Sequence, residues 1–87
     1  MGRYVGPGVV DDPSGDVAGG EVECDLWSAS GPRYDEWGGS LSGRLDWAAL
    51  TGSDRVLLVL VGHTGRILVD RVVDDRAEII GLGDPPF

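Results

Sequence analysis

Short extended segments, each closed by glycine or proline, follow one another along this chain and limit what it can fold into. Apolar and polar residues alternate with a period of two in several of these segments, as in strands that bury one face. No window longer than about seven residues shows the period of an amphipathic helix. A chain of 87 residues has room for one domain, which buries only about 60% of its unfolded surface. We therefore predict a single β-domain over residues 1–87.

Six segments are predicted to be strands, separated by turns rich in glycine, proline and aspartate. They cover residues 3–10, 21–27, 34–45, 56–61, 66–73 and 77–83. Pro7 is expected at an edge or a bulge, because its nitrogen has no hydrogen to donate. Asp46 is expected to cap one short helical turn that Gly52 ends. Strands in hairpin order predict an all-β fold, a small antiparallel barrel or a two-sheet sandwich of about six strands with one short helical turn.

Alternation also assigns side chains to the inside or the outside of this fold. In residues 21–27 the inward set is Val22, Cys24 and Leu26, and the outward set is Glu21, Glu23, Asp25 and Trp27. In residues 34–45 the inward set is Trp37, Gly39, Leu41, Gly43 and Leu45. Glycines among large apolar residues are expected where a strand coils tightly or a ring lies across its backbone. The unbroken apolar run 56–61 is predicted to be a central strand covered on both faces, and Phe87 to close an open end of the core.

Charge and composition exclude several classes of protein. The net charge is −8, and all seven basic residues are arginines scattered along the chain, which opposes binding to nucleic acid. No apolar run reaches the roughly 18 residues of a membrane span, and the first residues lack the apolar core of a secretory signal. We therefore expect a cytoplasmic protein that binds neither nucleic acid nor membrane. Acidity of this kind favours basic or neutral partners, or serves only solubility.

No set of residues has the spacing of a catalytic or metal site. Cys24 is the single cysteine and is predicted to be a buried, inert thiol. His63, the single histidine, is predicted to face solvent in a hairpin turn over residues 62–65, and no serine lies in a nucleophile-elbow context. A calcium-loop pattern starting at Asp12 lacks the required glycine at Val17. We expect no cofactor, no metal and no enzymatic activity; an enzyme would need His63 beside a serine and a carboxylate.

The candidate binding residues form two groups. Glu21, Glu23 and Asp25 lie about 6.5 to 7 Å apart along one strand face, with Trp27 at its end. This face binds a basic partner protein or loosely held cations, or it is an ordinary solvated face, and Trp27 either anchors a partner or folds under a loop. The second group is Arg33, Tyr34 and Trp37, which are predicted to line the barrel mouth.

Four stretches, "YVGPGVV", "RYDEWGGSL", "GRILV" and "GLGDPPF", resemble a family of small domains of unknown function. That family is found mainly in actinobacteria, alone or appended to flavin-dependent monooxygenase-like proteins. The matching positions are Tyr4, Gly6, Tyr34, Trp37, Gly39, Gly81, Gly83 and Phe87. The ending is also similar to that of short actinobacterial and phage proteins. The resemblance implies a shared fold and a non-catalytic role.

Two functions are consistent with these observations. The first is a non-catalytic module of an actinobacterium or its phage, which binds another protein or self-associates through an edge strand or the Trp27 face. The alternative is an accessory domain, associated with a flavoprotein, that binds a small molecule at the barrel mouth.

Overall fold

The structure is a computed structural model that describes residues 2–15, 17–31, 35–53, 55–60 and 62–87. Within these residues the chain forms six strands and one short helix. They are β1 (Gly2–Asp11), β2 (Gly20–Ser30), β3 (Asp35–Ser42), α1 (Trp47–Leu50), β4 (Val56–Leu60), β5 (His63–Val73) and β6 (Arg76–Leu82). The strands are antiparallel and form a closed barrel. The predicted all-β fold is confirmed, in its barrel form.

The strand order around the barrel is β1-β2-β3-β6-β5-β4. Consecutive strands pair within β1 to β3 and within β4 to β6. The predicted hairpin order is wrong at one junction, where β3 pairs with β6 and β4 pairs with β1. The fold therefore consists of two three-stranded meanders joined edge to edge. The segment that contains α1 connects them along the chain, between β3 and β4.

Several predicted strand boundaries are also wrong, and β2 continues to Ser30 instead of ending at residue 27. β3 ends at Ser42 rather than continuing to residue 45, and the Gly43 N–H donates a hydrogen bond to the Asp75 carbonyl at 2.8 Å. His63 lies in β5, where it pairs with Leu60. The turn between β4 and β5 is therefore tighter than residues 62–65, and Gly62 allows it with a φ of 76°. Val61, which was predicted to end the fourth strand, lies outside the described residues.

The helical turn forms as predicted. The Asp46 carboxylate accepts a hydrogen bond from the Ala49 N–H at 3.2 Å, which satisfies a donor that the helix leaves free. Gly52 follows the turn with a φ of 84°. Trp47 is buried, and its Nε1 donates to the Gly43 carbonyl at 3.0 Å. Trp47 and Leu50 thus fix this segment to the core.

The barrel interior contains the residues that alternation placed there. Among the described residues, the buried apolar set is Val10, Val22, Cys24, Leu26, Trp37, Leu41, Trp47, Leu50, Val56, Leu58, Leu60, Ile67, Val69, Ala77 and Ile79. The inward assignment of β2 is confirmed in full, and Leu45 is half-buried against the core. The prediction that β4 is covered on both faces is wrong. Leu57 and Val59 are only half-buried, because a strand of a closed barrel turns one face outward.

Trp37 closes one end of the interior. It is 2% exposed, and its Nε1 donates to the Gly83 carbonyl at 3.1 Å. The Phe87 ring meets the Trp37 ring edge-on, with centroids 6.2 Å apart. A Cβ added at Gly81 would overlap the Trp37 indole, and one at Gly65 would lie 2.9 Å from Trp37 Cζ2. The ring therefore rests against glycines of β5 and β6, and the predicted role of Phe87 is confirmed.

The glycines expected beneath a ring, Gly39 and Gly43, have other functions. Gly39 has a φ of 145°, and a Cβ there would overlap the Asp25 carbonyl oxygen. A Cβ at Gly43 would lie 2.9 Å from the Glu21 carbonyl oxygen. Both positions bring β3, or the segment directly after it, close to the backbone of β2, which fits the tight coiling that was the other expectation.

Candidate functional site

An apolar row crosses the outer surface of four neighbouring strands. The register places Trp27 opposite Gly38, Gly38 opposite Ile80, and Ile80 opposite Leu68. Trp27 is 47% exposed and Ile80 is 46% exposed, whereas Leu68 is half-buried. We call these four residues the Trp27 row. Exposed apolar surface that continues across several strands is typical of a protein-binding site.

Gly38 explains how Trp27 sits on this surface. Gly38 points outward, yet it is buried. A Cβ at Gly38 would lie 3.5 Å from Trp27 Cζ2 and 2.8 Å from the Ile79 carbonyl oxygen. The indole thus lies over bare backbone with much of its surface in solvent. The alternative in which Trp27 folds under a loop does not describe this arrangement, since the ring lies on the sheet.

The acidic face of β2 divides into two parts. The Asp25 carboxylate forms an ion pair with Arg3 at 3.1 Å, and Arg3 is directly opposite Trp27 on β1. Both charged side chains are well exposed, so the pair adds little stability, but it neutralises the carboxylate nearest Trp27. Glu21 and Glu23 are exposed, and their carboxylates have no hydrogen-bond or ion-pair partner among the described residues.

A groove lies at the Glu21 end of the same face. It is bounded by Pro7 and Val9 of β1, Glu21 and Glu23 of β2 and Val59 of β4, and encloses about 480 Å³. We call it the β1 groove. Val9 is opposite Glu21 on one side and opposite Val59 on the other. The groove therefore has an apolar floor and two carboxylates on one rim.

Of the three residues predicted to line the barrel mouth, the structure describes only Trp37. Trp37 is buried beneath Phe87, and the Pro86 ring packs at the same position, beside Gly65. A ligand would reach the Trp37 ring only after Pro86 and Phe87 moved. Arg33 and Tyr34 lie outside the described residues, so their role in binding remains a prediction.

Neither candidate reactive side chain has a hydrogen-bonded catalytic partner among the described residues. Cys24 is buried, and burial, together with the nearby negative charge of Glu23, raises the pKa of its thiol to about 11. The prediction of a buried thiol is confirmed, and the raised pKa extends the range over which it stays protonated above pH 9. His63 is exposed, and its imidazole has no hydrogen-bond partner among the described residues. The described chain contains no group of three or more metal-ligating side chains.

Asp12 organises the loop after β1. Its Oδ1 accepts hydrogen bonds from the Ser14 N–H and the Ser14 hydroxyl, and its Oδ2 accepts one from the Val17 N–H. The hydroxyl of Ser14 is the largest cause of a lowered pKa at Asp12. Both carboxylate oxygens thus bind their own loop, as in an Asx turn. Asp16, the next acidic residue of the calcium-like pattern, lies outside the described residues.

The register adds two candidate binding residues that sequence reasoning missed, Ile80 and Leu68. A signal was present, because adjacent apolar residues on a strand, such as Ile79 and Ile80, force one of them outward. Their position beside Trp27 depends on the pairing of β3 with β6, which local alternation does not determine.

Comparison with known proteins adds no relative. No protein-family model matches the chain, and no curated protein or solved structure matches it. The resemblance to small actinobacterial domains therefore remains a prediction. Among the described residues, no helix has the length and apolar character needed to cross a membrane.

Proposed function

We propose that this domain is a non-catalytic protein-interaction module that binds a basic protein partner through the Trp27 row. The observation that carries the proposal is the position of Trp27, which lies over Gly38 and continues into the exposed Ile80. Tryptophan is enriched among the residues that dominate binding energy, because a large rigid ring buries much area at low entropic cost. The net charge of −8 favours a partner of opposite charge. A role in a small actinobacterial or phage protein fits the resemblance.

The edge of β1 is a poorer candidate for docking. Between described residues, β1 pairs with β4 only from Val9 to Asp11, which leaves earlier residues of β1 without that neighbour. Pro7 has no N–H, and its carbonyl oxygen already accepts a hydrogen bond from the Tyr4 hydroxyl at 2.6 Å. An added strand would find neither backbone group of Pro7 available. We therefore favour the Trp27 row over strand addition.

The test is affinity capture followed by measurement of the dissociation constant with the purified partner. We expect Trp27→Ala to weaken binding by about tenfold or more, as for an aromatic anchor. Val73→Ala is the matched control, because Val73 is also apolar and 54% exposed but lies at the far end of β5. Equal losses in both variants, or none in Trp27→Ala, would refute the proposal.

A second copy of this chain is the other possible partner. Light scattering at high protein concentration separates the two cases. A strict monomer eliminates self-association. A dimer that dissociates in the Trp27→Ala variant would show that the Trp27 row is the dimer interface.

A further inference from the structure

The floor of the β1 groove is apolar and belongs to two strands. Pro7 and Val9 point outward from β1, and Val59 of β4 lies opposite Val9. Val9 is 41% exposed. The volume of about 480 Å³ is sufficient for one long side chain of another molecule. The floor itself is apolar and favours a hydrocarbon segment, while the hydroxyl-bearing Ser42 of β3 lines the groove opposite Glu23.

The rim supplies negative charge that nothing in the described chain neutralises. Glu23 lies opposite Pro7, and Glu21 lies opposite Val9. Neither carboxylate has a partner among the described residues, and no arginine lines the described groove. Asp25, two residues further along, differs because Arg3 already pairs with it. The uncompensated charge of this face is therefore concentrated at the groove.

An apolar floor beside two carboxylates matches a cation on an aliphatic stem. We infer that the β1 groove binds an arginine or lysine side chain of the partner protein, with the stem against Pro7, Val9 and Val59 and the charge beside Glu21 and Glu23. Long basic side chains pack their methylenes on apolar surface while the charged group meets a carboxylate. An inorganic cation would leave the floor unused, and a neutral hydrocarbon would leave the carboxylates unpaired.

The groove and the Trp27 row lie on one line along β2. Glu23 and Trp27 are four residues apart on the outward face, a distance of about 13 Å. An extended segment of the partner that lies along β2 would place a basic side chain in the groove and an apolar side chain against Trp27. This inference rests on the proposed function, because it specifies the partner as an extended segment whose basic and apolar residues are about four positions apart.

The groove is tested directly with butylguanidinium chloride as the probe. Amide chemical shifts of the ¹⁵N-labelled domain are followed during titration at constant ionic strength. We expect saturable shifts at Gly8, Val9, Val22 and Leu60, smaller shifts with guanidinium chloride and none with butanol. Absence of saturable shifts in the wild type, or equal binding of butanol, rejects the inference.

Charge variants test the contribution of the rim. We expect the double variant Glu21→Gln with Glu23→Gln to raise the dissociation constant of butylguanidinium about fivefold or more, because the amides retain the shape of the carboxylates but not their charge. The control, Asp74→Asn with Asp75→Asn, makes the same change of net charge in the β5–β6 turn and should alter binding less than about twofold. Equal effects would show general electrostatic attraction and overturn the inference.

Failure of this inference is distinguishable from failure of the proposed function. Trp27→Ala should leave butylguanidinium binding unchanged, since Trp27 does not line the groove. If the groove does not bind the probe while partner binding still depends on Trp27, only the groove assignment is rejected. If the groove binds the probe but Trp27→Ala leaves partner binding unchanged, the proposed function is rejected.

Discussion

Two tryptophans of this barrel lie against glycines of other strands, one inside and one outside. Trp37 rests against Gly81 and Gly65, is covered by Phe87 and has its Nε1 bonded to a backbone carbonyl. Trp27 rests over Gly38 and is 47% exposed, and its ring nitrogen has no hydrogen-bond partner among the described residues. The same arrangement, a tryptophan ring packed on glycine, therefore occurs once in the core and once on the surface. The inner ring is part of the core, whereas the outer ring is half exposed and its N–H donates to no described residue.

The largest expected effect is the loss of the inner ring. Trp37→Ala should lower the free energy of unfolding by about 4 kcal/mol, through lost burial and the cavity left behind. Trp27→Ala is the matched control and should cost less than about 1 kcal/mol, because its ring remains half in solvent. Urea denaturation followed by circular dichroism measures both. Similar costs would contradict the contrast between the two rings.

The glycine beneath the inner ring should be nearly as sensitive. A methyl group at Gly81 would overlap the indole of Trp37, which cannot move because Phe87 covers it. We expect Gly81→Ala to cost about 3 kcal/mol by urea denaturation.

A double-mutant cycle tests the cause. In a Trp37→Leu background, Gly81→Ala should lower the free energy of unfolding clearly less than in the wild type, because the clashing ring is absent. An unchanged cost would mean that the backbone of β6, rather than the ring, requires glycine.

The sequence predicts one part of this contrast, namely which side chains face the barrel interior and which face solvent. Alternation in residues 21–27 placed Cys24 inside and Trp27 outside without knowledge of any partner strand, because the period of two is a property of the strand alone. The α1 turn was equally local, since its cap requires only Asp46 and the next few residues.

The pairing between the two meanders was not predictable in the same way. Gly39 and Gly43 were expected beneath a ring because they share a strand with Trp37, but the ring lies against Gly65 and Gly81 on other strands. Which strand lies beneath a side chain depends on barrel closure, here the pairing of β3 with β6. The Trp27 row could not be predicted for the same reason, because Ile80 is far from Trp27 along the chain.

The glycine beneath the outer ring should be less sensitive than Gly81. A Cβ at Gly38 makes ordinary contact with Trp27 but lies 2.8 Å from the Ile79 carbonyl oxygen. We expect Gly38→Ala to lower the free energy of unfolding by about 1 kcal/mol, because β3 and β6 must separate slightly. A cost equal to that of Gly81→Ala would show that the outer ring is held as firmly as the inner one.

The last expected effect concerns ionisation of Cys24 on the inner face of β2. Burial first, and Glu23 second, raise the pKa of the Cys24 thiol from 9.0 to about 11. Between these values the unfolded chain ionises at Cys24 while the folded chain keeps its proton, so the unfolded state binds fewer protons and stability falls as pH rises. Across pH 9 to about 11, the wild type should therefore lose more stability than Cys24→Ala. Parallel stability curves for the two proteins would mean that the thiol ionises equally well folded and unfolded. Alkylation by iodoacetamide provides an independent measurement, since a protonated thiol inside the barrel should react only as fast as the chain opens.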